Sequence, residues 1–301
     1  MTGAVARRLS DDMSDAAGKR VYEVDEVILG WKPAESADAA LEWVLQRIDR
    51  LAAPLTLLTV LDAKKNYDED KLAKFKSDTE AVAADIRAKH PSITVNTQIV
   101  EGDAPQILAG LTSPEKLVVV GTDRRRGLSL RYAFSFGARL AARAHGPVAL
   151  IPHGDNEPGV GVVVGVDGTP SSLAAARVAA RIALARGGEE LVVVHVWQEP
   201  TPWQDAYLPP DDGFLESLQK VHQDVLDESV AQFAEDWPEL VITKKLVHGL
   251  APWGLLDQAA RGSLLVVGTR SSRGIQRFFL GSVSHTVVLN LEGPTIVVPQ
   301  K

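Results

Sequence analysis

LLVVGTRSSRGIQRFFLGS (residues 264–282) and LVVVGTDRRRGLSLRYAFS (residues 117–135) are two versions of one phrase. Each opens as an unbroken apolar run, turns at a Gly-Thr pair, passes through arginines and closes on a serine. An apolar run without polar alternation reads as a strand covered on both faces. A glycine with hydroxyl and cationic residues directly after it places hydrogen-bond donors at the carboxyl end of that strand. Finding the phrase twice points to a duplicated unit.

The duplication extends through the chain. VILGWKPAESADAALEW (27–43) parallels VVVGVDGTPSSLAAARV (162–178), and LTLLTV (55–60) parallels LVVVHV (191–196). VEGDAP (100–105) parallels VHGLAP (247–252), and GPVALIP (146–152) parallels GPTIVVP (293–299). The order is the same in both halves. The expected division is a flexible N-terminal tail over 1–20, a first domain over 21–153, a linker over 154–160 and a second domain over 161–301.

In each unit buried strands alternate with alanine-rich amphipathic segments. In the second unit strands are expected near 161–167, 191–197, 241–247, 264–268 and 295–299, with helices near 171–187, 212–236, 251–261 and 283–291. Helices between strands act as crossovers, which are right-handed in parallel sheets. The predicted fold is α/β: two tandem doubly wound domains, each a mostly parallel five-stranded sheet with helices on both faces. Ser171 or Ser172 is expected to cap the first helix of the second unit. In the first unit a helix over 34–50 should turn Leu41 and Trp43 to the sheet. The proline before each last strand suggests a peripheral position for it. The segment 197–214 is longer and richer in proline and aromatics than its counterpart 61–70; it reads as a cover over a site, a contact with the other unit, or a loop without a role.

Composition narrows the function. The 301 residues carry a formal charge of −7, against the basic surface that nucleic-acid binding requires. There is no cysteine, which removes disulfides, thiol catalysis and thiolate metal sites. No apolar run reaches membrane-spanning length and the first residues lack a signal-peptide core, so no membrane partner and a cytoplasmic location are expected.

Open parallel sheets bind ligands beyond the carboxyl ends of their strands. In the second unit two such ends carry suitable groups. In the loop after Gly268, the residues Thr269, Arg270, Ser271, Arg273 and Gly274 supply donors and turn geometry. Gly281, Ser282, Val283 and Ser284 form a helix start whose free amides and dipole favour an anion. At the other end, Gly165, Val166 and Asp167 close the first strand, where the carboxylate suits ribose hydroxyls or an adenine amine. Val196 ends the second strand and can offer backbone groups to a base, while His248 and Gly249 follow the third and can line the cleft. Each group also has a plainer reading: Asp167-Gly168 as a turn and cap, the arginines as solvated charges, the hydroxyls as caps.

These residues resemble the universal stress protein family in its tandem-domain form. That family's signature is Gly-x2-Gly-x9-Gly-Ser/Thr, and the second unit reads Gly268, Ser271, Gly281, Ser282 at those places. GVDGTPSS also resembles the family's strand-end phrase, in which the aspartate matching Asp167 contacts the adenosine part of ATP. VHVW (194–197) looks like the strand end whose backbone meets adenine. The resemblance implies an adenine nucleotide alpha-hydrolase-like fold, ATP as ligand with Mg2+ as an option, a regulatory role in stress response or dormancy, and a homodimer with intrachain pseudo-twofold pairing through the terminal strands. Serine in place of glycine at 271 predicts weaker binding if positive φ is required there.

The first unit departs further. Gly121 and Ser135 remain, but Arg124 and Phe134 stand where glycines belong. Lys32 or Trp31 replaces the strand-end aspartate, depending on a one-residue shift. A degenerate site is expected; a site for another anion, or arginines reaching the partner unit's nucleotide, are the alternatives. No catalytic set is visible: the P-loop, HExxH and nucleophile-elbow motifs are absent. His195 reads as a satisfied buried histidine, and His285 as a packing or capping residue. A slow ATPase and a ligand-free interaction protein remain the competing readings.

Overall fold

The computed structural model describes residues 24–51, 53–123, 136–154, 159, 161–185, 188–199, 212–260, 262, 264–269 and 280–300. The expected tail, most of the expected linker and residues 200–211 of the long segment lie outside them.

The first half runs β1 (Glu26–Gly30), α1 (Glu35–Leu51), β2 (Leu55–Leu61), α2 (Glu69–Lys89), β3 (Val95–Glu101), α3 (Ala104–Leu111), β4 (Lys116–Thr122), α4 (Phe136–Ala141) and β5 (Val148–Pro152). The second repeats it: β6 (Val162–Gly165), α5 (Pro170–Ala185), β7 (Leu191–Trp197), α6 (Asp212–Ala234), β8 (Ile242–His248), α7 (Ala251–Ala259), β9 (Leu264–Thr269), α8 (Ser282–Leu289) and β10 (Thr295–Pro299). Within each half the five strands are parallel. Alternate strand residues feed two cores, because successive side chains point to opposite faces. Val27, Leu29, Val162 and Val164 pack under α1, α2, α5 and α6. Ile28, Val118, Val163 and Val267 pack under α3, α4, α7 and α8. Trp43 is buried in the first of these cores and Leu41 packs against it, as the helix pattern predicts.

Each last strand is the edge of its own half's five-stranded sheet, as expected, and the two edges meet. The order β3-β2-β1-β4-β5-β10-β9-β6-β7-β8 makes one ten-stranded sheet, with β5 and β10 joined antiparallel at its centre. Ile296 stands opposite Ala149, and both are essentially fully buried. The prolines are tolerated because Pro147 and Pro294 precede the strands and serve the ladder only as acceptors: their carbonyls take the amides of Val118 and Leu265. Edge pairing hides two rows of backbone groups that each half alone would expose.

Two glycines fix how the first helix of each half sits on its sheet. A methyl group added at Gly268 would lie 2.4 Å from the Ser171 carbonyl oxygen, and one at Gly121 would lie 1.8 Å from that of Ser36. The first turns of α5 and α1 therefore rest on bare backbone of β9 and β4.

Candidate functional site

The β6 end builds one wall of a cleft. The Val166 amide still donates to the Val194 carbonyl at 2.9 Å, and then the strand stops. Gly168 takes a positive φ of 75°, turning the chain into α5. Asp167 organises that turn: its carboxylate accepts from the Thr169 amide at 3.1 Å and the Thr169 hydroxyl at 2.5 Å, while its amide donates to Ser172 Oγ at 3.2 Å. Thr169 is the N-cap of α5, since its carbonyl takes the Leu173 amide and its hydroxyl faces the Ser172 amide. The cap expected at Ser171 or Ser172 thus falls earlier. Pro170 is pre-set for a first helical turn, which draws both serines into the helix.

On β7, peptide groups alternate sides. Val194 faces β6, and the Trp197 carbonyl faces the β8 side, where it takes the Gly249 amide. Val196 therefore directs its peptide groups to the β6 side, beyond the point where β6 has ended. Its side chain lies against α7, where a methyl on Gly254 would meet it at 2.9 Å.

The opposite wall is the start of α8. Gly281 is its N-cap, and the first helical bond runs from the His285 amide to the Gly281 carbonyl. The amides of Ser282, Val283 and Ser284 precede that bond and have no acceptor within the helix. Gly281's own amide turns to Thr269 Oγ1 at a long 3.4 Å. The Ser284 hydroxyl donates to the Gly281 carbonyl at 3.1 Å, so it is available to a ligand only as an acceptor, contrary to the donor role expected of it.

These walls enclose a cleft of about 250 Å³. Gly165, Val166, Asp167, Val196, Gly268, Gly281, Ser282, Val283 and Ser284 line it together. Ser171, Ser172, Val194, Ala251, Leu255 and Val267 line it too, although nothing local in the sequence distinguishes them from core and helix residues. Leu255 reaches the floor from α7, where a methyl on Gly165 would meet its side chain at 2.9 Å. Gly268 lines the cleft, but the close approach it permits is that of α5 rather than of a ligand.

Other expected residues lie elsewhere. Thr269 is buried as the last residue of β9 and is not part of the loop. His248 and Gly249 do not line the cleft: His248 pairs Trp197 in register and its side chain lies on the sheet face opposite that of Val196, where it is half exposed, bonds Glu199 at 2.9 Å and meets Trp197 edge-on. The His248 bond holds the Glu199 carboxyl below its usual range. His285 supplies the first helical bond of α8. Arg270, Ser271, Arg273 and Gly274 lie outside the described residues, as do Arg124, Phe134 and Ser135 of the first half.

His195 is buried and satisfied, as its surroundings predict, but its partners were not foreseeable. Its Nδ1 lies 2.8 Å from the Val166 carbonyl and its Nε2 lies 2.9 Å from Nδ1 of His222 on α6. His222 stacks on Trp197 with ring centroids 5.2 Å apart. Burial, and then His195, lower the His222 pKa.

The first half repeats the frame with different chemistry. Gly30 pairs Leu58 as Gly165 pairs Val194, and the Trp31 amide donates to Leu58. Trp31 thus matches Val166, and Lys32 takes the place of Asp167. The Lys32 ammonium lies 5.2 Å from the centre of the Phe75 ring. Among the described residues no group of three or more His, Asp or Glu is arranged to hold a metal, and no helix is long and apolar enough to cross a membrane.

Comparison with known proteins adds the decisive observation. The model of the universal stress protein family matches residues 24–152 and again residues 161–299. The chain belongs to the universal stress protein family. A universal stress protein of Mycolicibacterium smegmatis is 26% identical over 293 residues, covering 90% of this chain and 96% of that one. Another, from Mycobacterium tuberculosis, is 29% identical over 224 residues, covering 73% and 70%. Among solved structures, a universal stress protein from Archaeoglobus fulgidus shares the fold with a TM-score of 0.65 at 15% identity, over 93% of this chain and 97% of that one. The tandem arrangement is therefore that of two universal stress domains in one chain.

Proposed function

We propose that the C-terminal universal stress domain binds an adenine nucleotide, with ATP as the expected ligand, and that the protein is a nucleotide-dependent regulator in stress response or dormancy. The observation that carries this reading is the convergence on one cleft of a strand-end peptide, an aspartate turn and three open helix amides. A nucleoside fits the apolar floor between Val166, Val196 and Leu255, with Val196 peptide groups toward the base. Phosphates then lie at the start of α8, where amides and dipole both favour anions. Magnesium, if it takes part, arrives on the phosphates. We further propose a cytoplasmic location and a homodimer; the intrachain β5–β10 pairing occupies the terminal strands, so a second chain would dock on another surface.

The Asp167 carboxylate already holds Thr169 at one oxygen. That keeps a ligand-free interaction protein as the second reading, and it predicts modest affinity. Titration calorimetry with ATP, ADP and AMP decides between the two. Binding is expected for at least one adenylate, with a loss of about tenfold or more in Gly281→Phe, whose ring fills the space before α8. Heats no greater than dilution for all three nucleotides would sink the proposal. Phosphate release that survives in Gly281→Phe would assign any ATPase activity to another site.

A further inference from the structure

The cleft wall at Val166 is held from behind by a two-histidine relay, and its proton arrangement follows from chemistry. A carbonyl only accepts, so His195 Nδ1 carries the proton that reaches Val166 at 2.8 Å. In the neutral ring Nε2 is then an acceptor, so the donor across the 2.9 Å contact is His222 Nδ1–H. The neutral pair has one basic nitrogen left, His222 Nε2. This imidazole relay occupies the place where the Val196 amide would otherwise add the next rung of the ladder.

The first half has a counterpart at the same three places. Thr59 Oγ1 donates to the Trp31 carbonyl at 2.9 Å and lies 3.2 Å from Thr79 Oγ1 on α2. There the β1-end carbonyl is supported by a strand hydroxyl that does not titrate, with a helix hydroxyl beside it whose own proton goes to the Phe75 carbonyl. Titrating groups stand only in the half whose cleft keeps the aspartate.

We propose that His195 and His222 are positioning residues that fix the Val166–Asp167 peptide for the nucleotide and make occupancy of the cleft depend on pH. The proposal rests on the nucleotide reading of the cleft. Protonating His222 puts an imidazolium beside His195 and Trp197 in a partly buried setting. Among the described residues, ionisable groups on the surrounding elements do not offset it: Glu199 on the β7 side is engaged by His248 of β8, Asp227 of α6 by Lys244 of β8, and Asp167 beyond β6 by its own turn. Lys220 of α6 adds only like charge. A histidine whose folded pKa lies below the unfolded value contributes stability that is complete above about pH 6.5 and is lost as pH falls below it. Protonation at Nε2 leaves the His222 Nδ1–H in place, so the support of Val166 weakens in that acidic window because the charged ring is drawn from its place between His195 and Trp197 toward water.

The test measures AMP affinity by calorimetry at about pH 7.5 and about pH 5.5 in four full-length proteins: wild type, H195A, the double variant H195T/H222T and the remote control H90Q. The readout is the affinity ratio between the two pH values, because titration of the AMP phosphate is common to all four. Wild type and H90Q are expected to lose about fivefold more affinity on acidification than the double variant, which carries the non-titrating pair of the first half. H195A, which strips Val166 of its donor, is expected to bind about fivefold more weakly at neutral pH. Nitrogen-15 spectra of the wild-type rings should show both histidines as Nδ1–H tautomers at neutral pH. Equal ratios in wild type and double variant, or an Nε2–H tautomer at His195, would overturn the relay while leaving the nucleotide site standing. Absence of AMP binding in all four proteins would overturn the site and the relay with it.

Discussion

At Gly268 and Gly121 the side chain is missing for the sake of the fold. A methyl at either place would press on a helix carbonyl that cannot withdraw without lifting α5 or α1 from the sheet. Gly268→Ala and Gly121→Ala should each cost about 2–3 kcal/mol, measured by urea denaturation, even with no ligand present. An unchanged midpoint in Gly268→Ala would mean that α5 yields easily, and would return that glycine to a purely ligand-facing role. The same residue scale explains what the sequence left hidden. The glycine was legible as the point where the apolar run turns, but its close approach to Ser171 was not, because Ser171 lies far away in sequence. His222 was hidden for the same reason: it sits on an amphipathic helix 27 positions from His195, and no local motif marks their contact.

At the scale of elements, the turn from β6 into α5 is, among the described residues, the part of the site with the most internal hydrogen bonding. Thr169 gives Asp167 two donors and caps the helix. Thr169→Ala should lower stability by about 1 kcal/mol in thermal or urea melts, the usual cost of a lost cap. It should also remove the hydroxyl donor from one Asp167 oxygen, so that nucleotide affinity holds or rises while stability falls. Affinity and stability falling together would show that Asp167 needs Thr169 to point correctly. Strands and helices themselves were largely readable. Apolar runs over 191–197 and 295–299 match β7 and β10, and the alanine-rich stretch after Gly168 matches α5. What failed was the assignment of the cap to the serines, which depends on the angle at which the chain leaves β6, and of His248 to the cleft, which depends on the face that β8 turns to α6.

For the molecule as a whole, the central β5–β10 pair makes two domains one sheet. The proline-led strands were legible as the edges of their own units because sequence reports the missing donors, but not the neighbour that covers each edge. Ala149→Asp would place an unpaired carboxylate opposite Ile296 in the buried seam, at a cost of about 3 kcal/mol or more. The expected result is a common shift of the unfolding transition, followed through Trp43 in the first half and Trp237 in the second. A shift confined to one tryptophan would show that the halves melt independently. The antiparallel seam also sets where the two halves present their strand tips. All first-half strands run with β5 and all second-half strands run with β10, so their carboxyl ends emerge at opposite rims of the sheet. Asp167 therefore stands at one rim and its counterpart Lys32 at the other. No small molecule bridges them, and a macromolecule that senses both must wrap around the helices or rely on strain carried across the seam.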